Sequence, residues 1–271
     1  MNMNRIVLFS IVALMLACSS PKKKSNTAQG ANQEDFTKME VLTDAQRLVA
    51  SIEKAHRKDL FELNEAVQFD LKLEFGGTER INGRVYLLTG GSKVKIEDVN
   101  GLQYWDGSKA MVLPNQEDNE KARFDLLTWS YFFAAPYKLS DSGVNHEFIG
   151  ETLLGGAEYR ANKMTFEKGI GDTPEDWYIV YKDRNSDLLA AMAYIVTSGE
   201  KTVEEAEKDP HVITYEAYTE VGGIPFATQW NFWTWNEAGE MNKLLGSATV
   251  SNIEFTEKAG DMFQLTASLA N

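Results

Sequence analysis

The stretch ARFDLLTWSYFFAAP, residues 122–136, restricts the fold more than any other part of the chain. Its pattern predicts a helix over 122–135, stopped by Pro136. Phe124, Leu126, Leu127, Trp129, Tyr131, Phe132 and Phe133 leave such a helix almost no polar face. A helix that is apolar nearly all round has to be buried on most sides. One flat sheet buries one stripe only. The remainder needs a concave sheet wrapped around the helix, or a ligand.

The surrounding sequence is strand-like. In AVQFDLKLEF, residues 66–75, Val67, Phe69, Leu71, Leu73 and Phe75 share one face, and Gln68, Asp70, Lys72 and Glu74 share the other. That alternation predicts a strand with one wet face. Gly-Gly pairs at 76–77, 90–91, 155–156 and 222–223 lie between strand-like runs, where glycine supplies the positive φ of tight hairpins. Further strands are expected at 83–89, 92–98, 101–105, 109–113, 146–153, 157–167, 176–182, 188–197, 211–221, 225–235 and 246–256. Runs joined by such short turns describe an antiparallel meander. A second helix is expected from Thr43 to Lys58. Thr43 is its N-cap and Gln46 completes a capping box; Leu48, Val49, Ile52 and Ala55 form the apolar stripe, while Arg47, Glu53, Lys54 and Arg57 face water.

Three of the six tryptophans fall in TQWNFWTWN. As a strand, Trp230, Phe232 and Thr234 point one way, and Asn231, Trp233 and Trp235 the other. WYIVY and LLAAMAYIV are likewise apolar on both faces. Two architectures account for this. One is a densely packed sandwich whose extra aromatics are structural; the other is a curled sheet around an apolar lumen.

Location is written at the N-terminus. One positive charge precedes an apolar run, Ile6 to Ala17, that is too short to span a bilayer, for which about 20 residues are needed. The run ends in Leu16-Ala17-Cys18 and holds the only cysteine of the chain, which resembles the lipobox of bacterial lipoproteins. Residues 1–17 then form a lipoprotein signal peptide and Cys18 carries the acyl anchor; a plain secretory peptide with an incidental cysteine is the alternative. Residues 18–40 are polar, include Lys22-Lys23-Lys24, and predict a disordered tether of about 25 Å mean span. Residues 41–271 are expected to form a single domain. The net charge of −13 argues against nucleic acid as a partner.

Several segments together resemble a family of lipoproteins of Bacteroidota that is similar to the LolA/LolB/LppX-like superfamily. They are the cysteine, a helix ending near His56, FDLKLEFGGTERINGRVYLL, IEDVNGLQYWDG and GGIPFATQWNFW. The resemblance implies a mainly β fold: a strongly curved, half-open antiparallel barrel of about 11 strands, with an N-terminal helix and an apolar plug helix. It also implies a hydrophobic lumen that binds an acyl chain, a lipid or a lipoprotein. The candidate lining is Phe69, Leu71, Leu73, Phe75, Trp129, Phe132, Phe133, Trp230 and Phe232. An anchored protein of this kind is more like the receptor LolB than the carrier LolA. Ser19 in place of aspartate favours the outer membrane, facing the periplasm.

Catalytic motifs are not found. His56, His146 and His211 are scattered, and neither HExxH nor GxSxG occurs. DRNSD, at 183–187, starts like a calcium loop but continues with Leu188 and Tyr194 where glycine and glutamate are required. TGGSK lacks phosphate-loop spacing, and the acids at 204–209 read as a solvated helix or loop. The expectation is a monomeric, non-catalytic protein without metal or cofactor. It is attached to a membrane by its lipid and acts as a binder of hydrophobic ligands. A structural or protein-interaction role in the envelope is the alternative.

Overall fold

The computed structural model describes residues 41–99, 101–114, 117–199 and 201–264. The signal peptide, Cys18 and the tether lie outside the described residues. Twelve strands form one antiparallel sheet: β1 (Ala66–Phe75), β2 (Thr78–Leu88), β3 (Val94–Asp98), β4 (Gly101–Trp105), β5 (Ala110–Leu113), β6 (Val144–Leu154), β7 (Ala157–Phe166), β8 (Tyr178–Lys182), β9 (Leu189–Tyr194), β10 (His211–Val221), β11 (Ile224–Trp235) and β12 (Met241–Thr256). Their order is β5-β4-β3-β2-β1-β12-β11-β10-β9-β8-β7-β6. Ten of the eleven ladders join neighbours in sequence. The exception is β1 with β12, which runs from Ala66↔Thr256 to Phe75↔Gly246 and welds the two ends of the domain together at the centre of the sheet.

Turn chemistry explains the meander. Gly76-Gly77, Gly155-Gly156 and Gly222-Gly223 all have positive φ and close two-residue hairpins that match the twist of the flanking strands. Curvature comes from irregular register. The ladder slips at Gln68/Asp70 between β1 and β12, and twice between Phe232 and Trp235 in β11. Such bulges bend a strand and increase its twist. At Gly83 and Gly246 the backbones of neighbouring strands come so close that a Cβ would collide with the Glu97 and Glu74 carbonyls respectively. The sheet is therefore strongly curved and open, with β5 and β6 as its free edges.

Among the described residues, four α-helices accompany it: α1 (Asp44–Ala55), α2 (Lys58–Phe61), α3 (Glu120–Ala134) and α4 (Val203–Ala206). The capping box at Thr43 and Gln46 is formed, and Leu48, Val49 and Ile52 are buried. Two expectations are corrected. The first helix ends three residues early, because Arg57 adopts φ 55° and restarts the chain as α2. Glu53 does not face water; it accepts hydrogen bonds from Lys58 Nζ and from the Ser140 amide and hydroxyl, tying α1 to the loop before β6. Strands β2 and β12 each begin five residues before the expected positions, in stretches whose side chains are mostly exposed.

The concave face carries the main core, which includes Phe69, Leu71, Leu73, Phe226, Trp230 and Phe232. The convex face is not bare. The segment with Ala259 and Phe263 packs over Ala66, Leu102 and Tyr104, while Trp233 and Trp235 pack with Tyr181, Ala191 and Val212. Trp233 and Trp235 on the outer face of β11 remain half-buried, sheltered by side chains of neighbouring strands on the same face.

The bend at the centre of the sheet is open to test. Gly246→Val is expected to destabilise the fold by about 1–3 kcal/mol, measured by urea unfolding. Gly90→Ala, where added atoms meet nothing within 4 Å, is expected to stay within about 0.5 kcal/mol of the parent.

Candidate functional site

After β5 the chain leaves the sheet. Asp118 bridges back to β5 by accepting from the Ala110 amide, and Asn119 caps the next helix by accepting from the Ala122 amide at 2.9 Å. Helix α3 then passes beneath β3, β4 and β5 into the concavity. A 3₁₀ turn with Pro136 (Ala135–Tyr137) ends it, and the chain returns to β6. The helix thus links the two free edges of the sheet and fills the space between them.

Its side chains are satisfied in several directions at once. Phe133 stacks on Phe69 of β1 at 3.9 Å between ring centroids and on Phe226 of β11 at 5.3 Å. Trp129 meets Phe75 and Phe232 at 6.1 and 5.7 Å. Phe132 meets Tyr194 of β9 at 5.0 Å, and Tyr131 meets Tyr178 of β8 at 5.6 Å. The two stacked pairs of Phe133 and the edge-to-face pair of Trp129 with Phe232 add about 0.5–1.5 kcal/mol each beyond simple burial; the other three pairs are tilted.

Few polar ties hold the plug. Asp125, buried, accepts from Arg80 at 2.7 Å and from Trp129 Nε1 at 3.0 Å. Arg123 pairs with Asp172, and the Tyr215 hydroxyl donates to the Phe132 carbonyl at 3.0 Å. Burial raises the pKa values of Tyr178, Tyr194 and Tyr215, so these phenols stay neutral.

The nine candidate lining residues come together. Phe69, Leu71, Leu73, Trp129, Phe132, Phe133, Trp230 and Phe232 belong to one buried cluster, with Phe75 packed against it. They contact one another rather than an empty space. A crevice between the end of α3 and strands β10 and β11, lined by His56, Phe132, Phe133, Tyr137 and Tyr218 among others, has a volume of only about 10 Å³. That is room for one water. A larger open hollow of about 490 Å³ lies outside the lumen, by Glu62–Glu65 and Leu88–Thr89.

Sequence reasoning missed His56, Tyr137 and the Arg80–Asp125 pair. The signal for Asp125 was present, since a lone acid inside an apolar helix needs a partner. His56 sits in the core, 1% exposed, and its Nε2 accepts from the Leu189 amide at 3.0 Å. That bond leaves the proton on Nδ1. Desolvation pushes its pKa down to about 3, only partly opposed by the Pro225 carbonyl. His146 hydrogen-bonds the Leu139 carbonyl and His211 lies 3.5 Å from Asp209, so the three histidines do not converge. Among the described residues, no group of three or more His, Cys, Asp or Glu is arranged to hold a metal ion. No helix among them is long and apolar enough to cross a membrane.

No protein-family model and no curated protein matches the sequence. Comparison with solved structures does find matches. A LolA superfamily protein from Nitrosomonas europaea is similar with a TM-score of 0.53 at 11% identity, over 83% of this chain and 99% of that one. A DUF1329 family protein from Desulfovibrio piger gives 0.45 at 11% identity, over 82% and 98%. The lipoprotein LppX of Mycobacterium tuberculosis gives 0.25 at 12%, over 78% and 96%. The first of these likenesses shows the fold: a LolA-like open barrel, mainly β and antiparallel.

Two measurements probe the site. Arg80→Met strands the buried Asp125 carboxylate and is expected to lose about 3–5 kcal/mol of stability. Adding Asp125→Asn, which keeps an acceptor for Trp129 without the charge, recovers part of that loss in urea unfolding. The second concerns pH. The unfolded chain protonates His56 near 6.5, and the folded chain only near 3. Stability is therefore full above 6.5 and falls as pH drops towards 3, by about 1.4 kcal/mol per pH unit from this residue. His146 and His211, also lowered by burial, act in the same direction. In His56→Gln the slope of stability against pH between 6 and 4 is expected to shrink by about one proton.

Proposed function

We propose that the protein is a lipid-anchored envelope protein that binds a hydrophobic ligand, an acyl chain or a lipid bearing one, in the concavity that α3 occupies. Residues 1–17 act as the signal peptide, Cys18 carries the anchor, 18–40 form the tether and 41–271 the binding domain, attached to the outer membrane and facing the periplasm. The domain works as a monomer and without catalysis.

The observation that carries this reading is the nature of the plug. Helix α3 is held in the sheet mainly by non-directional apolar and aromatic contacts, with few polar ties. An acyl chain offers the same kind of contact to Phe69, Leu71, Leu73, Phe75, Trp230 and Phe232. It gains about 25 cal/mol for each Å² of apolar surface withdrawn from water. At 1.5 Å per residue the 15-residue helix is about 22 Å long, comparable with a long acyl chain. The filled interior sets the mechanism: plug and guest exclude each other, so binding requires α3 to shift. The affinity observed is the intrinsic affinity reduced by the fraction of molecules whose plug has moved.

A second reading has its own support. With a crevice of only about 10 Å³, the aromatics can be a permanent core, and the protein then serves as a structural or interaction partner in the envelope. Native mass spectrometry of the Cys18→Ser protein separates the two. Co-purified lipid is expected from the first reading, and a bare chain from the second. Trp129→Ala with Phe133→Ala loosens the plug. Uptake of a fluorescent fatty acid should then strengthen about tenfold for each 1.4 kcal/mol of seating lost; unchanged uptake would sink the ligand-binding reading.

A further inference from the structure

Polar side chains around the crevice at the end of α3 are unequally satisfied. Tyr215 donates to the Phe132 carbonyl, and Tyr218 donates to the Leu189 carbonyl at 2.6 Å. Among the described residues, His56 Nδ1 and the Tyr137 hydroxyl have no hydrogen-bond partner, although both residues are buried, at 1% and 2% exposure. A buried donor without a partner destabilises the fold, and two such donors line one crevice. The bond from the Leu189 amide to Nε2 makes Nδ1 a donor. The Pro225 carbonyl faces it without reaching hydrogen-bond geometry.

Both groups also rest on elements outside the plug helix. His56 caps α1, and its ring lies 6.0 Å from that of Tyr137. Tyr137 lies past the end of α3 and stacks on Phe61 of α2 at 3.8 Å, with an interplanar angle of 1°. Phe132 and Phe133 of the plug form another wall of the same crevice. With the plug displaced as proposed above, the crevice would form the closed end of the lumen.

We propose that His56 Nδ1–H and the Tyr137 hydroxyl form a two-donor seat for a single oxygen atom, the acyl carbonyl oxygen of the guest. The seat rests on the ligand-binding function proposed above and names the guest's polar end. Its volume of about 10 Å³ suits one oxygen atom. A plain hydrocarbon would leave both donors unpaired, so the lumen selects acyl compounds over alkanes of equal length.

Competition against a bound fluorescent fatty acid tests this on the full-length Cys18→Ser chain. The competitors are methyl laurate, lauric acid and dodecane. Both acyl compounds, or one of them, should bind more tightly than dodecane, and comparing ester with acid tells an esterified chain from a free one. Tyr137→Phe removes one hydrogen bond at constant shape. It is expected to weaken the acyl competitors about 2- to 10-fold and to leave dodecane unchanged. Equal binding of dodecane and methyl laurate by the parent, or an equal effect of Tyr137→Phe on all three, overturns the seat while the apolar site stands. If the fluorescent probe itself does not bind, the ligand-binding function fails and the seat with it.

Discussion

Everything in this domain depends on enclosing a helix that has no polar side. Phe133 lies between Phe69 and Phe226, rings from two different strands. Trp129, Phe132 and Tyr131 reach β1, β11, β9 and β8. Only a sheet that bends round the helix can supply partners in so many directions. The register slips in β1 and β11 and the close strand approach at Gly83 and Gly246 provide that bend. Sheet and helix are mutually necessary: either alone would expose a large apolar surface.

Much of the architecture was legible in the sequence because its causes are local. Alternation in 66–75, three of the four glycine pairs and the Thr43–Gln46 box each act within a few residues and form as expected; at 90–91 only Gly91 has positive φ, within a longer turn between Leu88 and Val94. Failures occurred where local signals are silent. Thr78–Asn82 pairs with β1 yet buries little beyond Ile81, so its pattern gives no hint of a strand. Arg57 turns left-handed without a glycine to announce it.

The candidate site divides in the same way. The nine apolar residues could be named from their faces and spacing, and they do form one cluster. Whether such a cluster encloses space or fills it is a matter of volume, which residue types do not encode. Polar partnerships were illegible for a different reason. Arg80 meets Asp125 across 45 positions, and His56 meets Leu189 across 133. Those encounters follow from the curled, open sheet, not from any motif.

The ladder between β1 and β12 has a consequence for how the chain reaches this state. Gln68 and Glu254, joined by a side-chain hydrogen bond, are 186 positions apart. The middle of the sheet therefore cannot exist until the final strand has been synthesised, and β1 must wait with one edge unpaired. Contacts of such long range make folding slow and leave strand edges open to wrong partners meanwhile. The two runs of neighbouring strands can each pair early, and the seam that joins them closes last.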